Sequence, residues 1–310
     1  EGANTSFQVH HRVNPADYAD TFNAVQLVSP LGLAIAANSP TLFGHALWQE
    51  TRIPLFKQSI DTRIRDRYKW AEPARVNFGH GWVRRGAFEL FHQTVRLNPP
   101  LLPICADESA AQELAAGRVP SLAELKLHQS TVWLWNRPIY DDADGGMLRV
   151  EMRSLPAGPT AVDMVANAAF LIGLAEGMRP RIHELLPAIP FDIAEYNFYR
   201  AAQYGLHAKL VWPGFRQYGY REQPICEIIE ALLPLALEGL RRIGIEPAES
   251  GRYLGVIERR LERRQTGAAW QQQKLADLKQ RLPTEAALHG LLEEFIAHSA
   301  ANLPVAEWPL

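Results

Sequence analysis

A chain of 310 residues that is 47% hydrophobic and 21% charged, with a net charge of −2, is built like a globular protein with material for one large domain or two modest ones. Its lysines and arginines are scattered among acids, which leaves no basic stripe for nucleic acid or an anionic membrane and points to a small-molecule function. Its two cysteines, Cys105 and Cys226, lie far apart among apolar neighbours, which argues against a disulfide framework or thiolate metal site and fits a reducing, cytoplasmic setting.

Residues 5–13 (TSFQVHHRV) alternate as a strand, with Phe7, Val9 and His11 on one face and Ser6, Gln8, His10 and Arg12 on the other. A strand that begins without a preceding cap or linker is expected of a chain cut within a fold. Asn14-Pro15 makes a turn, and Tyr18, Phe22, Val25 and Val28 give residues 16–29 helical spacing. A second helix is expected over residues 31–37, ended by Asn38-Ser39-Pro40, since proline restricts the residue before it. A stretch rich in charge follows: Arg52, Asp61, Arg63, Arg65, Asp66 and Arg67.

Gly79 and Gly81 flank His80 in a loop able to approach a ligand, and a helix is expected from residue 82 to about 95. Residues 98–103 and 107–120 read as a surface excursion. Strands are expected at residues 128–135 and 148–153, joined by turn-forming residues 141–146. In the second of these, Arg149, Glu151 and Arg153 alternate with Leu148, Val150 and Met152.

Helical patterns dominate from residue 160: 161–175, 193–205, 224–243, 249–265, 271–282 and 285–300. The apolar run at 161–174 is interrupted by Asp163 and Asn167 and falls short of the ~18 uninterrupted residues of a bilayer span. Strands early and helices late predict an α+β fold, with residues 1–223 as one part and 224–310 as a helical C-terminal region of the same domain.

The sequence lacks the phosphate-loop, dinucleotide, zinc-protease and nucleophile-elbow signatures. The E-x-R pair Glu151/Arg153 sets a carboxylate beside a guanidinium on one sheet face, a pairing suited to metal and phosphate. An isolated E-x-R is more often a cross-strand salt bridge on a wet face. Arg52, Arg63 and Arg137 could clamp an anionic substrate, although the commoner fate of any single arginine is a solvated charge. Trp48, Trp82, Trp133 and Trp135 are expected as core or interface aromatics rather than a base-stacking platform.

Taken in order, SFQVHHRV, LAIAANSPTLFGHALWQETRIPLF, DTR, HQSTVWLWNRPI, LRVEMRSLPAGP and LEGLRRIGI resemble the segments of glutamate-cysteine ligases of the plant and proteobacterial type, over about residues 5–270. Asn197, Arg200 and Ala201, followed by Tyr204-Gly205-Leu206, are similar to the related bacterial carboxylate-amine ligases. The resemblance implies a glutamine-synthetase-like fold: a curved, mainly antiparallel sheet with helices packed on one side. It also implies ATP and Mg²⁺ as cofactors and an acyl-phosphate route to a γ-glutamyl amide.

By position, the resemblance assigns Glu151 and Gln8 to the metal and Arg153 and Arg137 to catalysis. Substrate binding falls to Arg52, Asn38, His128 and Thr131, with His128 and Thr131 on a neighbouring strand. Two departures stand out. The family's earlier strands, with their acidic E-x-E cluster, have no counterpart in this chain, and His10-His11-Arg12 stands where Asn-Leu-Asp is usual. Poor binding of Mg-ATP by the chain alone is therefore expected, together with homo-oligomerisation or dependence on a missing N-terminal segment. The alternatives are a ligase for a different acid and amine, and a non-catalytic metabolite-sensing or partner subunit.

Overall fold

The computed structural model describes residues 2–61, 63, 72–213 and 220–310. Thr62, Arg65, Asp66 and Arg67 of the charged stretch lie outside them. The fold mixes helices with small sheets, as the α+β expectation requires. In chain order the elements begin β1 (Val9–Val13), α1 (Tyr18–Ala36), β2 (Thr41–Leu42), β3 (His45–Ala46), α2 (Arg52–Ser59) and β4 (Val76–Asn77). Next come α3 (Ala87–Leu97), α4 (Ala110–Ala115), α5 (Ala123–Ser130), β5 (Trp133–Leu134), β6 (Asn136–Asp141) and β7 (Met147–Met152). The remainder is α6 (Ala161–Met178), α7 (Ile182–Leu185), α8 (Phe191–Tyr204), β8 (Lys209–Pro213), β9 (Tyr220–Pro224), α9 (Ile225–Arg242), α10 (Pro247–Arg263), α11 (Gly267–Lys279) and α12 (Thr284–Ala300).

The chain forms two compact units, neither continuous in sequence. One comprises Glu1–Phe7, Ala24–Pro54 and Ser154–Leu310, and the other Gln8–Asn23 and Leu55–Arg153. Neither unit ends at residue 223: α6, which precedes that point, packs along α9 and α10, which follow it. The fit of α6 to α9 is close: a Cβ added at Gly239 would stand 1.9 Å from the carbonyl oxygen of Gly173. Glycine at that crossing lets the two backbones meet. The segment Ala161–Ala188 is long and apolar enough by length and composition to cross a membrane, yet much of it is buried as a core helix. Asn197 of α8 fastens that helix to β8, donating to the Val211 carbonyl and accepting from the Val211 N–H, both at 2.9 Å.

The smaller unit holds the three-stranded antiparallel sheet, ordered β1-β7-β6. Register puts His10 opposite Glu151 and Glu151 opposite Arg137, while Arg12, Arg149 and Ile139 form the next row. Directly opposed residues share a face, so the sequence alternation is realised: one face is charged and the other carries Val9, Val150 and Met152. Tyr18 and Phe22 of α1 stack within this unit, and the Tyr18 hydroxyl donates to the Arg149 carbonyl at 2.9 Å. Burial pushes that phenol well above its ordinary range. Asn23 clasps the backbone of Val83, donating and accepting at 2.8 Å each. Trp133 and Trp135 meet Phe56 edge-on; Trp135 is buried in the core and Trp133 half-buried.

Three local expectations change. Residues 18–36 form one helix with Pro30 inside it, not two, because nearly every side chain of that stretch is buried and packing outweighs the proline penalty. The strand expected at 128–135 shrinks to Trp133–Leu134, and Ala123–Ser130 is helical. His128 is thus on α5 and Thr131 caps it, so neither is on a strand.

Candidate functional site

The charged face of β1, β7 and β6 gathers four of the expected residues around one carboxylate. Glu151 is 2% exposed, held down by its place in the central strand. Arg137, opposite it on β6, donates from Nε to Glu151 Oε2 at 2.6 Å and from Nη1 to the Gln129 carbonyl at 3.0 Å. Arg153, two residues along, donates from Nη1 to Glu151 Oε1 at 3.2 Å. Gln8, with its amide nitrogen turned to the carboxylate, donates to Oε1 at 2.7 Å and accepts from Arg153 Nη1 at 3.2 Å. His10 completes the group with Nε2 3.6 Å from Oε1.

Burial lowers the His10 pKa from its ordinary value; Glu151 opposes that shift, and Arg149, Arg137 and Arg153 add to it. The imidazole is therefore neutral at pH 7 and contributes no ion pair to Glu151 there. One carboxylate thus meets two guanidiniums in a partly desolvated setting. Such forks suit the planar oxygens of carboxylate or phosphate. Along the same face, Arg149 is ion-paired with Asp141, its Nη2 2.9 Å from Oδ2.

The other expected site residues are engaged elsewhere. Arg52 is 2% exposed, lies 3.4 Å from Glu50, and donates to the Ser154 carbonyl. Burial pushes the Glu50 carboxyl up, with Arg52 pulling it the other way. Asn38 donates its backbone N–H to Glu50 Oε1 at 2.6 Å and its amide to Ala157 O at 2.9 Å, and accepts from Gln271 at 2.9 Å. The ANSP turn is therefore a junction that binds three chain segments of its own unit. Arg63 forks onto Asp61 at 2.7 Å through both Nε and Nη2.

His128 Nε2 lies 3.4 Å from the Thr94 carbonyl, and Thr131 donates to the His128 carbonyl at 2.8 Å. Both border an apolar groove that also contains Leu101, Ile104 and Cys105, apart from the Glu151 cluster. His80, in the glycine loop, has its pKa lowered by burial. Among the described residues, no three acidic, histidine or cysteine side chains gather in a way that could hold a metal ion.

Sequence reasoning did not single out Gln129. It is 6% exposed at the end of α5, beside Arg137, in a cavity that also takes in Arg149. Its position depends on a helix read as a strand, so only the helix-forming AELKL run ahead of it could have signalled it. Neither the models of known protein families nor the curated proteins compared with this chain give a match.

Proposed function

We propose that the charged face of the β1-β7-β6 sheet handles the phosphoryl and carboxylate groups of an ATP-dependent carboxylate-amine ligation of the glutamate-cysteine ligase kind. One observation carries the reading. The residues drawn together on that face, Gln8, Arg137, Glu151 and Arg153, are the ones that the motif resemblance assigned to metal and catalysis.

In such a ligation a carboxylate oxygen takes the γ-phosphoryl group of ATP, giving an acyl phosphate and ADP. The amine nitrogen then bonds to the acyl carbon as the bond to phosphate breaks, and its proton leaves to solvent. Arg137 and Arg153 would neutralise the phosphoryl oxygens in both steps, while Glu151 fixes the two guanidiniums before substrate arrives. Preorganised cations of this sort stabilise developing charge without reorganising. With the His10 pKa lowered by burial, the arginines rather than the imidazole carry the positive charge at pH 7.

A resident magnesium ion does not fit this donor set by itself. Mg²⁺ needs near-octahedral oxygen ligation, and here the one carboxylate is already engaged by two guanidiniums. The metal enters this reading as part of the Mg-ATP substrate, and no step is routed through a protein-held ion. The same lack of acidic ligands favours a second reading, a non-catalytic subunit that binds an anionic metabolite on this face.

The test is phosphate release from Mg-ATP by the chain with L-glutamate and a panel of amines that includes L-cysteine. Release that depends on both acid and amine, and is abolished by Glu151→Gln, is expected. No release with any pair overturns the ligase reading in favour of the binding subunit.

A further inference from the structure

The smaller unit carries an apolar surface that its own fold leaves uncovered. Phe88, Val95, Leu101, Leu102 and Ile104 are all exposed, Phe88 by 80%. Single exposed apolar residues are ordinary, whereas a contiguous set marks a contact surface. Phe88 and Val95 lie seven residues apart on one face of α3, about 10 Å from each other. The Phe88 ring stacks on His92 between them, with centroids 5.8 Å apart. Val95 then walls an apolar groove of about 450 Å³ together with Leu101, Leu102, Ile104 and Leu127.

The two ends of this surface complement each other in shape and in charge. At the N-terminal end of α3, Phe88 projects beside Arg84 and Arg85. Glu89 Oε2 accepts the N–H groups of both arginines, at 2.9 and 3.0 Å, and so holds them at that end. Their side chains are exposed and have no partner among the described residues. At the other end the groove is open and its rim is acidic. Glu124 lines it and accepts the Ala106 N–H at 2.7 Å, which sets the exposed Asp107 next to it. Glu108 accepts the Ser121 N–H at 2.6 Å in the same stretch. Arg96, in the last turn of α3, complements that helix's own C-terminus.

A knob and a groove, and a cationic and an acidic end, on one surface are what an isologous contact requires, since each residue pair then forms twice. We propose that this face is the interface between two copies of the chain, with their α3 helices antiparallel about a two-fold axis near His92. Phe88 of one protomer enters the groove of its partner, and Arg84 and Arg85 meet the partner's acidic rim at Asp107. The exposed Cys105 in the groove is covered by the contact. The inference rests on this surface alone and stands whether or not the charged sheet face serves a ligase.

The experiment is sedimentation velocity of the chain over a range of micromolar concentrations, with two charge variants run separately and mixed. A wild-type dimer is expected. Arg84→Glu/Arg85→Glu and Asp107→Lys each set like charges against one another in a homodimer, and each is expected to self-associate at least tenfold more weakly. Their equimolar mixture restores opposite charges at both contacts and is expected to recover the wild-type affinity. Phe88→Ser, at an exposed position, is expected to give monomer with an unchanged melting temperature. Cys105, exposed where Cys226 is buried, is expected to react with a water-soluble disulfide reagent more slowly as chain concentration rises. A monomeric wild type, a mixture no tighter than its components, a dimer indifferent to Phe88→Ser, or Cys105 reactivity that does not change on dimerisation would overturn the assignment.

Discussion

Two arginine–carboxylate clusters, one in each unit, show how differently the same chemistry can be used. In the larger unit Arg260 and Asp163 are 1% and 0% exposed and meet at 2.8 Å. Arg260 also donates to Asn167 Oδ1 at 2.5 Å and to the Ile35 carbonyl at 3.1 Å. Asp163 accepts from the Thr160 hydroxyl at 2.7 Å and the Val305 N–H at 3.0 Å. One cation matches one anion, and the bonds reach four separate stretches of chain. In the smaller unit Glu151 is as deeply buried, but two guanidiniums, an amide and an imidazole converge on it, and Arg137, Arg153 and His10 keep 14%, 11% and 37% of their side-chain surface open. A balanced, closed cluster locks a fold. Two guanidiniums on one carboxylate at a partly open rim suit the oxygens of a carboxylate or phosphate from outside.

The comparison breaks most visibly if the buried partner is removed. Asp163→Ala strands a charged guanidinium in the core, and a loss of about 3–5 kcal/mol is expected in urea unfolding. A loss below about 1 kcal/mol would mean that the Arg260 cluster is not the lock described. Arg153→Ala is the counterpart in the other unit. Arg137 and Gln8 remain on Glu151, so roughly 1–2 kcal/mol of stability is expected to go by the same measurement.

The smallest effect concerns His10. Its folded pKa lies below the ordinary 6.5, so the unfolded chain binds the proton more readily. The stability that His10 contributes is therefore present above that ordinary value and is lost as pH falls through the folded one. In unfolding experiments over that window, His10→Asn is expected to flatten the pH slope. An unchanged slope would place the His10 titration at its unfolded value.

The charged sheet face was legible because a strand has a strict period of two: residues 5–13 and 148–153 could be sorted into faces without knowing their partners. Glu151, Arg153 and Gln8 followed from that sorting. Arg137 was singled out as well, but its place opposite Glu151 is a matter of register, which sequence spacing does not disclose. The helices after residue 160 were legible from their apolar period.

Other features depended on tertiary context. Pro30 signals a break, but α1 is buried on all sides, and packing overrides local preference. The β-branched and aromatic run at 131–135 suggested a longer strand than the two residues that pair with β4. Arg52 and Asn38 sit in distinctive motifs, yet the folded chain uses them to tie its own backbone together. Gln129 was invisible because its burial beside Arg137 is defined only by what surrounds it.

The central claim, that the Glu151 face receives an anionic substrate, is tested most directly by calorimetric titration of the chain with Mg-ATP, wild type against Arg153→Ala. Weak single-site binding in the wild type that falls a further tenfold or more in a folded Arg153→Ala variant is the predicted result. Equal affinity in the two, or no binding to either, would contradict the account.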